Sequence, residues 1–178
     1  MKRVFGILLV TSLMACGQSE KKATSNDSTT TIAAVDTTSS AALVKDSVQG
    51  NILSQYLILK NALVKGDSTL AKNFSAKLAT SLNDYKGCEL TATFASKIAN
   101  APTLAVQRKD FTTVSADLIS LFKHADLNKG TTLFVQHCPM ANKGDGGDWI
   151  SVTEDIKNPY YGDEMLECGS VVEKFAAK

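Results

Sequence analysis

Two apolar stripes joined by a Gly-Asp step constrain this chain more than anything else in it. Val48, Ile52, Tyr56, Leu59 and Leu63 recur at helical spacing. Asp46 or Ser47 can cap the helix they define. Gly66 supplies a left-handed stop, and Asp67 or Ser68 can start the next helix at once. Leu70, Phe74, Leu78 and Leu82 then follow every fourth residue, Tyr85 completes the stripe, and Gly87 ends it. So short a joint makes the two helices antiparallel neighbours.

Two further helices are predicted. Residues 91–100 form the weaker one, with Leu90, Phe94 and Ile98 on one side and Pro102 breaking it. Residues 103–126 carry Leu104, Phe111, Val114, Leu118, Leu121 and Phe122, a face interrupted by Gln107-Arg108 and Ser115. Arg108 is expected at the edge of that face, its stem snorkelling to solvent. The sum is a mainly α fold: an antiparallel bundle of three to four helices, followed by a small C-terminal β-hairpin or irregular sulfur-containing subregion. The apolar stripes hold no polar constellation, so no active site is placed among them and no enzymatic activity is expected.

After Asn128-Lys129-Gly130 the period changes from helical to alternating. Thr131 to Gln136 is rich in β-formers and runs directly into His137-Cys138-Pro139-Met140. Residues 142–148 hold three Gly, two Asp and a Lys and read as a loop; Trp149 to Val152 is a second strand, pairing with the first as a hairpin with a long tip. Asn158 to Gly162 is a turn. Asp163 can cap a short turn carrying Met165 to Cys168, and Gly169 can end it. Residues 170–175 add either a last strand or a final short helix.

The chemistry-bearing residues gather in these C-terminal segments. Of four Cys and four Met in the chain, Cys138 and Met140 lie in one segment, Met165 and Cys168 in the other. If residues 138–140 are extended, side chains two apart share a face; in a helical turn, side chains three apart do. Soft sulfur donors of this kind select Cu(I). Zn²⁺ is less favoured, because Met is not among its usual ligands. The metal set is therefore Cys138, Met140, Met165 and Cys168, with His137, Trp149 and Cys88 as further ligands or supporting groups.

Each of these residues has a plainer reading. Cys138 and Cys168 can form a disulfide, closing a loop of about 30 residues worth on the order of 3 to 4 kcal/mol. The Met side chains can fill core. His137, adjacent to Cys138, points to the opposite face of an extended strand. Trp149 can anchor the hairpin to the bundle, and Cys88 can be a buried apolar residue. Residues 142–148 lack the alternating acids and terminal Glu of a calcium loop. Cys-His nucleophilic catalysis is poorly served by an adjacent pair with no clear orienting acid.

The N-terminus reads as an address. Met-Lys-Arg, an apolar run from Val4 to Val10 and Leu13-Met14-Ala15-Cys16 make an export signal too short to span a bilayer. The last four residues resemble the lipobox of bacterial lipoproteins, which implies acylation of Cys16 and attachment to a membrane through lipid, facing the periplasm or the cell surface. The division expected is a lipoprotein signal at 1–15, a flexible Ser/Thr-rich tether at 16–43 and one domain at 44–178. Loss of Lys2 and Arg3 lowers Lys+Arg from 19 to 17 against 18 Asp+Glu, taking the formal charge from +1 to −1. Such a chain has no electrostatic reason to bind nucleic acid.

A family resemblance covers residues 55–172. It rests on Leu57 to Val64 (LILKNALV), Gln107 to Phe111 (QRKDF), Ser115, Cys138-Pro-Met-Ala141, Trp149-Ile-Ser151, Asn158-Pro-Tyr-Tyr-Gly162, Met165-Leu166 and Cys168-Gly169. With these the chain resembles the bacterial family catalogued as domain of unknown function 3347. That family occurs as small exported proteins and fused to periplasmic adaptors of heavy-metal efflux pumps. The resemblance therefore implies copper or a related soft metal as ligand, and efflux components as partners. Many members carry a His-Met element before the last long helix; residues 85–99 here have neither, and offer Cys88 instead.

Overall fold

The computed structural model describes residues 42–177. The signal, the expected lipid site Cys16 and nearly all of the tether lie outside the described residues. Among those described, four helices precede a small sheet: α1 (Ser47–Lys65), α2 (Ser68–Asn83), α3 (Glu89–Asn100), α4 (Leu104–Lys123), β1 (Thr132–Cys138), β2 (Gly147–Ser151) and β3 (Ser170–Ala176).

The first hairpin forms where its punctuation puts it. The Asp46 carboxylate accepts from the Val48 and Gln49 N–H groups, both at 2.9 Å, satisfying two orphan donors of α1. Gly66 takes the left-handed conformation, φ 70°, and Asp67 accepts from the Leu70 N–H at 2.9 Å to open α2. α1 is the central helix, with Ile52, Leu53, Tyr56, Leu59 and Leu63 all buried. Val48, at its first turn, is 47% exposed and leaves the predicted stripe.

α2 and α3 pack closely, and here the large apolar residues misled. α2 buries Ala71, Ser75, Leu78, Ala79 and Leu82, while Leu70 and Phe74 are only half-buried. α3 buries Thr91, Ala92, Ala95 and Ile98, and Leu90 is 70% exposed. The seam is built from small side chains, which let two backbones approach and turn the bulkier residues outward. Ala101 is extended, ψ 136°, as the residue before Pro102 must be, and α3 stops there.

In α4 the core face is Phe111, Val114, Leu118 and Phe122. Gln107 and Ser115 lie on it, fully buried: Gln107 Nε2 donates to the Ser68 carbonyl at 3.1 Å while its Oε1 has no partner among the described residues, and Ser115 Oγ meets Tyr56 Oη at 2.7 Å. Arg108 departs from expectation. Half-buried, it turns its head toward α1, where Nη2 donates to the Leu63 carbonyl at 2.9 Å in the last turn of that helix. A cation there adds a second donor to a carbonyl that accepts only a long bond, 3.3 Å, from the Gly66 N–H, at the negative end of the helix. Gly162, at φ 59°, makes room for it, since a Cβ at that position would meet both the Arg108 guanidinium and the Val64 carbonyl.

The chain entering α1 is clamped to the link leaving α4. Lys45 N–H donates to the Asp126 carbonyl and Asn128 N–H to the Leu43 carbonyl, each at 2.9 Å. The sheet is antiparallel in the order β2-β1-β3. β1 pairs with β2 as the expected long-tipped hairpin, a short 3₁₀ turn at Ala141–Gly144 lying in the tip. β3 resolves the C-terminal alternative as a strand, with a bulge opposite Val135/Gln136. Tyr56 stacks on Phe111 at 5.4 Å, and Tyr160 bridges Phe111 and Trp149, welding sheet to bundle.

Candidate functional site: a convergent cysteine pair

Strand order delivers the two cysteines to one place. β1 ends at Cys138, and β3 begins antiparallel to it with Ser170 opposite His137. The chain entering β3 therefore passes the end of β1. Gly169, φ 142°, makes that passage close: a Cβ there would lie 2.7 Å from the His137 carbonyl oxygen and 3.0 Å from the Trp149 ring. The preceding residue, Cys168, is fixed by its own carbonyl, which accepts from Asn158 Nδ2 at 3.1 Å. Cys138 Sγ and Cys168 Sγ then lie 2.9 Å apart. Both are free thiols; Cys138 is fully buried and Cys168 half-exposed. Contact with Cys138, and burial after it, pushes the Cys168 thiol above its ordinary value, against an opposing hydrogen bond from the Met140 backbone N–H.

The remaining sulfur residues are arranged differently from the extended geometry expected for 138–140. β1 stops at Cys138, because Pro139 has no N–H to continue the ladder. Met140 is helical, φ −86° and ψ −12°, and 53% exposed. It does not share a strand face with Cys138. Met165 is half-buried, in the same tight turn as Cys168, whose N–H donates to the Met165 carbonyl at 3.1 Å.

The three supporting residues have other partners. His137 Nδ1–H donates to Asp148 Oδ1 at 2.8 Å, cross-strand and on the opposite side from Cys138. Trp149 is fully buried and donates Nε1–H to Gln136 Oε1 at 2.7 Å; it anchors the hairpin. Cys88 precedes α3, half-buried, its thiol pushed up by burial and then by Glu89 and Asp117. Its electrostatic neighbours are thus those two acids rather than the paired thiols. Among the described residues no three of His, Cys, Asp and Glu gather to hold a metal ion.

The separation of the paired sulfurs bears on what they can do. A disulfide bond is about 2.05 Å long, so closure needs a movement of under about 1 Å. Two thiolates each about 2.3 Å from one ion sit about 3.8 Å apart in a tetrahedral site and about 4.6 Å apart in a linear one. Met140 is turned outward, and an ion held by the two cysteines alone would take the linear arrangement, the one that needs the larger movement.

Sequence reasoning missed a second feature, a cleft of about 840 Å³ beside α4. Arg108 and Lys109 of the Gln107–Phe111 motif and Tyr160 and Tyr161 of Asn158–Gly162 line it together with the hairpin tip, motifs separately visible in the sequence whose juxtaposition only the fold reveals.

No curated protein and no solved structure matches the chain. Residues 52–130, from the first turns of α1 to the link before β1, match a family described as Protein of unknown function (DUF3347). The match ends short of the cysteine pair, which lies wholly in the sheet region. Over these residues, which span most of the helical bundle, the chain is similar to that DUF3347 family.

Proposed function

We propose that the chain is an envelope interaction module, non-catalytic, whose C-terminal sheet region is stapled by a Cys138–Cys168 disulfide. The 2.9 Å contact between a fully buried and a half-exposed sulfur carries this reading. The exported, lipid-anchored setting inferred from residues 1–16 supplies the oxidising compartment in which such a pair closes. The staple ties β1 to the chain entering β3, and its position 30 residues apart gives a closed loop worth about 3 to 4 kcal/mol. Chemical unfolding with and without reductant tests it: reduction should lower the stability by about that amount. A Cys138→Ser, Cys168→Ser double variant should show the reduced protein's stability under both conditions. Equal stability of the wild type in both conditions removes the staple.

A second reading is favoured by one observation, that Met140 lies in the turn after Cys138 and Met165 in the turn that holds the half-exposed Cys168. In reduced protein the two thiolates would take Cu(I) or a similar soft ion, with a thioether closing the site, for buffering or hand-over to efflux components. Anaerobic competition with a Cu(I) chelator separates the readings. The metal reading expects tight binding that weakens in a Met140→Leu, Met165→Leu variant; the stapled reading expects no uptake above that of the double serine variant.

A further inference from the structure

The cleft beside α4 gathers features that neither sulfur reading uses. Ala105, Arg108, Lys109 and Thr112 line it from one face of α4, at helical spacing i, i+3, i+4 and i+7, opposite the Phe111 and Val114 face. The facing wall is the tip of the β1–β2 hairpin, and the end is closed by Tyr160, Tyr161 and Glu164.

Three independent observations meet here. Arg108 is the single arginine among the described residues, and it is held rigidly by the Leu63 carbonyl and the surface of Gly162. The tip carries the only non-glycine residues with positive φ among those described, Asn142 at 54° and Lys143 at 66°, in succession. Such backbone is costly and persists only where the surroundings impose it. Asn142 supplies that constraint, donating through Nδ2 to Thr112 Oγ1 at 2.9 Å and to the Gly146 carbonyl at 2.8 Å. The result holds the Lys143 wall against the α4 wall. Finally, the cleft is lined by unpaired charges of both signs. Lys109, Lys143 and Asp145 are exposed and form no ion pair among the described residues; Glu164, with Asp163 beside it, lies within electrostatic reach of Arg108.

A pocket of this size with a fixed guanidinium, two flanking ammonium groups and carboxylates at its rim is complementary to a ligand carrying both charges. We infer that the cleft between Arg108, Lys143 and Tyr161 binds a small amino-carboxylate carrying both charges, a free amino acid or a dipeptide. The carboxylate goes to Arg108, Lys109 and Lys143, the amine to Asp145 and Glu164, and the apolar body lies against Ala105 and the tyrosine rings. A simple anion would leave the two acids unanswered and feel their repulsion. The inference stands apart from the redox state of the cysteines.

Titration of the full chain, followed by amide chemical shifts, tests it with four probes at millimolar concentration: the dipeptide Ala-Ala, its N-acetyl form, its C-terminal amide, and inorganic phosphate. Ala-Ala should shift residues 105–112, 142–146 and 160–164, and each blocked form should bind at least about tenfold more weakly. A Lys109→Gln, Lys143→Gln variant, altered only at exposed side chains, should stay folded and lose affinity for Ala-Ala. Phosphate binding as well as the dipeptide does, or blocked forms binding equally, overturns the assignment of a two-charge ligand. Absence of shifts in these three segments with all four probes overturns the site.

Discussion

Tyr56, at the centre of α1, accepts a hydrogen bond from the backbone N–H of Ile150 in β2 at 3.0 Å, across 94 residues of sequence. The same hydroxyl meets Ser115 of α4 at 2.7 Å. One buried phenol thus joins the bundle to the sheet that carries the cysteines, and its environment pushes its ionisation well above the usual tyrosine range, burial being the largest cause.

Removing that hydroxyl should be felt as an unsatisfied strand amide rather than as lost packing. Tyr56→Phe keeps the ring stacked on Phe111 but leaves the Ile150 N–H buried without a partner. We expect a loss of about 1 to 3 kcal/mol in urea unfolding, with an unchanged denaturant slope. A neutral substitution would show that the sheet is not held through this contact.

Gln136 should prove equally costly. It is fully buried, accepts from Trp149 Nε1, and donates through Nε2 to the carbonyls of Thr153, Glu154 and Asp155 at 3.0, 3.1 and 3.1 Å. Gln136→Leu fits the volume but orphans all four groups. The expected cost is about 3 kcal/mol, with faster amide exchange confined to residues 151–156 in the folded protein. Unchanged exchange in that loop would contradict the role given to this side chain.

Lys60 makes stability depend on pH in a definite direction. It is 6% exposed, and burial lowers its pKa from 10.5 to about 8. Between those values the unfolded chain holds a proton that the folded protein has released, so stability rises with pH. From about pH 10 upward Tyr56 and Tyr160, both raised above their ordinary 10.0, act in the opposite sense, because the unfolded chain ionises first. Stability should therefore climb by about 2 to 3 kcal/mol from pH 8 to pH 10. Lys60→Met should abolish the climb and exceed the wild type at neutral pH. A flat wild-type profile over that interval would contradict the buried, unpaired ammonium.

Local punctuation made the helical half readable. Asp46, Gly66, Asp67 and Pro102 act through their nearest neighbours, and each sets a boundary observed in the fold. Features that depend on distant partners were not readable. Leu90 and Phe94 looked like the inner face of α3, yet the close seam with α2 selects Ala92 and Ala95. Arg108 looked like an edge residue because Leu63 and Gly162, which hold its head, lie 45 and 54 positions away. At the cysteines the relevant signal was present: Pro139 ends the ladder at Cys138 and turns Met140 outward, which an extended reading of residues 138–140 overlooked. The pairing of β3 with β1, which sets Cys168 beside Cys138, depends on register between strands and has no local mark.

Gly169 sets the approach of the two sulfurs, so altering it should change their chemistry. Gly169→Ala places a Cβ against the His137 carbonyl and the Trp149 ring at a backbone conformation L-residues avoid. The entering chain must shift, carrying Cys168 from Cys138. In glutathione redox buffers the variant should hold its disulfide about tenfold less tightly than the wild type, equivalent to about 30 mV. An unchanged redox equilibrium would mean that Gly169 does not position the pair.

The most direct test of the stapled account is a map of the thiols in protein recovered from its native export compartment. The protein is alkylated without reductant, digested, and analysed by mass spectrometry. The account expects Cys88 alkylated and the peptides containing Cys138 and Cys168 joined to one another. Recovery of Cys138 and Cys168 as separately alkylated, unlinked peptides from that compartment would contradict it.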